Sequence, residues 1–171
     1  TARLLAAEAR AIQAGGADFL LIGTNTMHKV APEIEAAIDI PLLHIADATA
    51  HRLQADGVTR VGLLGTRFTM EQDFYKGRLQ ERFGLEVLVP DDVARERVHR
   101  IIYDELCLGD IRESSQAEYL AIIADLAQAG AQAVILGCTE IALLVGACQA
   151  AVPLYDTTAI HAEAAVALAL A

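Results

Sequence analysis

One short segment occurs twice in this chain. Gly16 to Thr26 reads GADFLLIGTNT, and Gly130 to Glu140 reads GAQAVILGCTE, aligned without a gap. Each copy follows a helical stretch closed by glycine, passes through an apolar strand and turns at a polar corner. Each then gives, after another helical stretch, Ile40-Pro41-Leu42 or Val152-Pro153-Leu154. The tetrapeptides DATA, from Asp47, and DTTA, from Asp156, extend the match. A strand–helix–strand–helix unit written twice restricts the chain to architectures with two similar lobes, related by a pseudo-twofold axis.

The residues around the repeat agree with that restriction. Leu4, Leu5, Ala9 and Ile12 form a helical stripe closed by Gly15-Gly16. Phe19 to Ile22 is a strand, Asn25 or Thr26 caps the helical segment after it, and Pro32 opens a further helical turn. PLLHIA, RVGLLGT, LEVLVP, AQAVILG and VPLYD are the other predicted strands. Between them fall a helix over residues 48–55 and one with Thr69 and Gln72 as a capping box, ending at Gly84. Further helices close at Gly109 and Gly130, and a last one begins at Thr157 or Thr158. Alternating strands and helices predict an α/β fold of parallel sheets with right-handed crossovers.

Composition narrows the function. A net charge of −10 argues against nucleic-acid or anionic-membrane surfaces as partners. No apolar run reaches the ~18 residues of a membrane helix. Cys107, Cys138 and Cys148 form no disulfide framework, which points to a reducing cytoplasm. They have no zinc-ligand spacing, and the five histidines are scattered, so no metal site is expected.

In open α/β sheets, ligands bind at the carboxyl ends of strands. Thr24 and Cys138 occupy those ends in the two copies. Two groups facing a bound carbon from opposite sides suit inversion of a stereocentre, one removing a proton and the other delivering one. The α-hydrogen of an amino acid is weakly acidic, so a thiolate base and oriented donors are needed. Asn25, Thr26 and Thr139, at helix N-termini, could supply the donors, and the same position is expected to lower the pKa of Cys138.

Taken singly, these residues read differently. A cysteine after an apolar strand is usually a small buried hydrophobe. Thr24 and Asn25 would be helix caps, His28 and Lys29 a solvated helix face, and Met27 core. Cys107 and Cys148 read as structural. The repeat tips the balance, because capping alone does not account for two polar corners in matched lobes.

TNTMH, GCTEI and the intervening IIYDELCLG together resemble the aspartate/glutamate racemase family. The likeness is strongest to its broad-specificity or L-aspartate/glutamate-specific branch. PLLHIADAT, LLGTRFTMEQDFY and DTTAIHAEAAV also look like family segments, so the resemblance covers essentially the whole chain. It implies a pyridoxal- and metal-independent racemase, often dimeric, with a cleft between two lobes and one catalytic cysteine in each. Cys138 matches the second thiol, and Thr24 stands where the first would be. Asn25, Thr26 and Thr139, with Thr66 of LLGT, are implied to bind the α-carboxylate. Arg97 is the best match for the basic residue that binds the distal carboxylate.

Two departures carry expectations of their own. Thr24 can donate a proton but is a very poor base, so Cys138 is expected to act as base and Thr24 as opposite-face donor. Family members also begin with a strand, a glycine-rich turn, a helix and another strand, roughly 60 residues at the usual size of such units. The resemblance thus makes residues 1–43 plus 157–171 an incomplete first lobe and residues 44–156 the second. A chain without that segment is expected to expose a sheet edge and to be a poor enzyme. The other readings are a related maleate isomerase, arylmalonate decarboxylase or hydantoin racemase, or an inactive paralogue that binds an amino acid or a partner. The leading expectation is a cytoplasmic homodimer acting on a small amino acid.

Overall fold

The computed structural model describes residues 1–171. Six strands form two parallel sheets flanked by helices, the predicted α/β class. The smaller sheet pairs β1 (Leu20–Leu21) with β2 (Leu42–Leu43). The larger has the order β4-β3-β5-β6, built from β3 (Arg60–Gly65), β4 (Glu86–Leu88), β5 (Ala133–Gly137) and β6 (Leu154–Asp156). β3 and β5 are its centre and read as nearly continuous apolar runs, as strands covered on both faces must.

Two apolar clusters cover those faces. On one side α3 (Ile45–Ala55), α5 (Lys76–Phe83) and α9 (Thr157–Ala169) bring Leu53, Leu79 and Ile160 against Val61, Leu63 and Ile135. On the other, α6 (Asp92–Asp104), α7 (Glu113–Gln128) and α8 (Ile141–Val145) bring Ile102, Ile123 and Leu144 against Leu64, Val134 and Leu136. Residues alternate between the clusters along each strand, the period of two that a pleated strand imposes. A smaller cluster joins α1 (Ala2–Ala14), β1 and α2 (Ala31–Glu35) through Ala9, Leu20 and Ile34.

The repeat is structural as well as verbal. Leu20 pairs with Leu42 and Leu21 with Leu43, while Val134 pairs with Leu154 and Ile135 with Tyr155. Pro41 and Pro153 are therefore equivalent, which makes His44 the counterpart of Asp156. The DATA and DTTA match is three residues out of register. His44 caps α3 by accepting from the Ala46 N–H, and Asp156 caps α9 by accepting from Thr158 and Ala159. Asp47, one turn later, instead holds Arg78 through both carboxylate oxygens, at 2.5 and 2.7 Å.

Other local readings change too. The helix expected to end at Gly84 is two, α4 (Arg67–Glu71) and α5. Thr69 lies buried inside α4, where its hydroxyl meets that of Thr66, so it caps nothing. After Asn25 the chain makes a short 3₁₀ turn over Thr26–Val30, with no side-chain cap. The closing helix, expected with the first lobe, packs on α3, β5 and β6, where Ile160 joins the larger sheet's core.

Candidate active site

Thr24, Asn25, Thr26, Thr66, Cys138 and Thr139 converge on one cavity of about 150 Å³. It opens where β1, β3 and β5 end, as the strand-end rule for open sheets requires. Gly137, in its lining, pairs with Gly65 across β5 and β3. A side chain on Gly137 would put its Cβ 2.8 Å from the Leu64 carbonyl oxygen. The close approach of these strands thus depends on the glycine of GCTE.

The second corner holds a compact hydrogen-bonded group. One oxygen of Glu140, Oε2, accepts from the Cys138 thiol at 2.9 Å and from the Thr139 hydroxyl at 2.6 Å. Burial, then the bond to Glu140 and its charge, push the Cys138 thiol up to about 12. This reverses the sequence expectation. α8 is a single short turn with little dipole to offer, and a carboxylate sits beside the sulfur. For Glu140, burial opposes ionisation, but the two donated bonds outweigh it and its pKa falls below the usual carboxylate range.

The first corner is held differently. His28 is 1% exposed, not part of a solvated face. Its Nε2 accepts from the Ile45 N–H at 3.2 Å, so the ring proton is on Nδ1 and is donated to the Thr24 carbonyl oxygen at 2.8 Å. One imidazole therefore ties the Thr24 corner to the start of α3. Burial lowers its pKa to about 4, and the ring is neutral at ordinary pH. His44 and His161 pack beside it, with ring centroids 4.3 and 5.9 Å away. Asn25 is also buried and donates through Nδ2 to Thr157 Oγ1 at 3.0 Å.

Arg97 does not join these residues. It is half-exposed on α6, where its guanidinium pairs with Glu118 at 3.3 Å. The same helix sends Ile102 and Tyr103 to the cavity, and the turn after it sends Cys107. Cys107, read as structural, thus lies at the site. Sequence reasoning also missed Tyr103 and Glu140. Glu140 had a signal in the sequence, an ionisable residue two places after the thiol. Tyr103 had only its place in IIYDEL.

Comparison with known proteins gives the family and the fold. The family model for Asp/Glu/hydantoin racemase matches residues 1–165. The broad-specificity amino-acid racemase RacX of Bacillus subtilis (strain 168) is 27% identical over 156 residues, covering 91% of this chain and 66% of the relative. A Yersinia pestis structure described as a candidate Asp/Glu racemase superposes with a TM-score of 0.95 at 56% identity, covering 99% of this chain and 74% of the other. An aspartate racemase homologue from Pyrococcus horikoshii OT3 gives 0.89 at 33% identity, with the same coverage of each chain. The chain thus spans just under two thirds of the curated relative and about three quarters of these solved chains.

Proposed function

The chain belongs to the Asp/Glu/hydantoin racemase family, and on that premise we propose that its corners exchange the α-proton of a small acidic amino acid. The observation that carries this reading is that Thr24 and Cys138, at equivalent strand ends, line the same cavity. Its size suits a small amino acid, well below the usual ~300–1,000 Å³ of larger-ligand sites.

Cys138 is the base. Before substrate enters, its proton is secure, because a thiol near 12 does not ionise at neutral pH. Glu140 is the adjacent acceptor, and the proton's transfer to it is uphill until a cation arrives. A substrate ammonium supplies that charge, favouring the thiolate. The thiolate then removes the α-hydrogen. Charge develops on the substrate carboxylate, which the hydroxyls of Thr26 and Thr66 stabilise by hydrogen bonding, with Thr139 turning its one hydroxyl proton from Glu140 to the substrate. Thr24 delivers a proton to the opposite face and recovers one from water, while Cys138 keeps the α-proton as its thiol proton and the proton on Glu140 neutralises the hydroxide that the water leaves.

Turnover in the reverse direction asks Thr24 to act as a base, for which a hydroxyl is poor. The two directions should differ in kcat. They cannot differ in kcat/KM, because the enantiomers have equal energy. The test is to supply each enantiomer of aspartate and glutamate in deuterium oxide. Expected are deuterium at Cα of the product, unequal kcat and equal kcat/KM. Absence of α-deuterium from every substrate overturns the reading.

A further inference from the structure

Three buried imidazoles meet where the small sheet joins the large one. His28 comes from the turn after β1, His44 from the step between β2 and α3, and His161 from α9. They are 1, 2 and 5% exposed. The apolar clusters of the two sheets are separate, so polar groups carry much of this joint. His28 links the Thr24 carbonyl to the Ile45 N–H, and His161 Nε2 donates at 2.8 Å to the carbonyl of Leu43, the last residue of β2. His44 accepts the Ala46 N–H through Nδ1 at the start of α3.

The joint needs a neutral ring at His28. A protonated imidazole has two N–H groups and no lone pair, so it would set a donor against the Ile45 N–H and bury a charge. The charged groups facing it do not compensate. His161 on α9 and Arg78 on α5 both act against a charge there, and Arg82 on α5 does the same at His44. Asp47, 4.0 Å from His44, is held by Arg78 through both oxygens and lies 3.7 Å from Arg82. Acid is therefore relieved by the ring leaving its place, and the bond to Thr24 goes with it. The Cys138 corner has no such dependence. β5 is held by ladder bonds from both neighbours, and Glu140, whose pKa lies below the usual carboxylate range, stays ionised at pH 5.

We propose that His28 is a positioning residue for Thr24, clamping that corner to the start of α3 only while its ring is uncharged, so that acid uncouples the Thr24 face of the site from the Cys138 face. This rests on the racemase reading, and it makes one face of the site depend on a residue that does not line the cavity. With a pKa of about 4 in the clamp and 6.5 when free, the ring binds a proton more readily once the clamp is open. The clamp is at full strength above pH 6.5 and weakens about twentyfold between pH 7 and pH 5.

Two measurements on the purified chain test it. In hydrogen exchange followed by NMR, and corrected for the intrinsic effect of pH, protection of the Ile45 amide should fall about twentyfold from pH 7 to pH 5. Amides of Ala133–Gly137 should keep theirs. In kinetics, H28N does not titrate and is too short to reach Ile45. Its kcat at pH 7 should be about tenfold below wild type, with KM within about twofold, and the kcat ratio should shrink towards one at pH 5. In the T24A background H28N should cost less than about twofold, because its effect passes through Thr24. A merely structural histidine would cost the same in both backgrounds. Should H28N not fold, H28Q takes its place with the same expectations, since it can reach Ile45 but leaves the Thr24 carbonyl unpaired. Equal losses in the two backgrounds, a ratio that does not change with pH, or unchanged Ile45 protection each overturns the inference. α-Deuterium exchange by the wild type at pH 7 keeps the two readings apart. Exchange together with any of those results sinks this inference alone, and no exchange from any substrate sinks the racemase reading with it.

Discussion

The two corners have the same backbone register but different support. Cys138 ends a strand paired on both sides, by β3 and β6, and buried along its whole length. Thr24 follows a strand of two residues paired only with β2, with Leu21 42% exposed. Side chains stand where the sheet does less. His28 holds the Thr24 carbonyl, and Asn25 is anchored to Thr157. A corner's precision can come from ladder hydrogen bonds or from a few buried polar residues, and only the second kind is exposed to titration.

The deepest break in the comparison is at the reacting groups. On the proposed roles, C138A should abolish exchange from both enantiomers, lowering kcat/KM by at least about 10³-fold. T24A should act unequally, cutting kcat by about 10²-fold and more strongly in the direction in which Thr24 donates. T24C would place a thiol at both corners and should bring the two kcat values together. Unchanged kcat values in T24C would show that Thr24 moves no proton.

The next effect falls on the first corner's support. A histidine held at about 4 when folded and near 6.5 when unfolded contributes stability above pH 6.5. That stability is lost as the pH falls towards 4, because the unfolded chain binds the proton first. For His28 alone the loss is roughly 2 kcal/mol by pH 5. His44, lowered further to about 2 by burial, adds in the same direction. Urea melts at pH 7 and pH 5 check this. H28N should be less stable at pH 7 but less sensitive to acid. Equal acid sensitivity in both proteins would mean that His28 is not the titrating strap.

How much of this could be read from the sequence depended on whether the signal was periodic. Strand order alternating with helices, the gapless repeat and the convergence of Thr24 with Cys138 all follow from apolar period and glycine punctuation. The surroundings of a side chain do not. His28 sits beside Lys29 in sequence, yet the 3₁₀ turn over Thr26–Val30 sends one into the core and the other to solvent. The thiol's raised pKa came from burial and from a carboxylate two residues away, whose rotamer no pattern encodes. The mismatch of DATA with DTTA is instructive in another way. Letter similarity aligned Asp47 with Asp156, whereas the strand pairing aligns His44 with it, because the cap position and not the residue type is what the fold repeats.

A smaller effect sharpens the second corner. E140Q removes the charge and the strong acceptor that help hold the Cys138 thiol high. The thiol pKa should fall, and alkylation by iodoacetamide at about pH 8 to 9, near the ordinary thiol range, should quicken. Yet kcat should drop about tenfold, because the group proposed to receive the thiol proton has gone. Opposite movement of reactivity and turnover is the signature. If both rise, Glu140 restrains the thiol and takes no part in turnover.

The smallest expected effect concerns Arg97, which the family resemblance made the distal-carboxylate ligand. An α-helix turns about 100° per residue. Arg97 is therefore about 140° around α6 from Ile102 and about 120° from Tyr103, the residues that helix gives to the cavity. Positions one turn before Tyr103 share its side, and His99 is there, with ring centroids 4.7 Å apart. Arg97 instead pairs with Glu118 across half-exposed surface, an interaction worth less than about 1 kcal/mol. R97A should shift stability by no more than about 0.5 kcal/mol and leave KM for aspartate within about twofold of wild type. A rise of KM for aspartate that spares an amino acid without the distal carboxylate would return Arg97 to the site. It would also require α6 to turn on its axis when substrate binds, since the face that now meets Glu118 would have to meet the ligand.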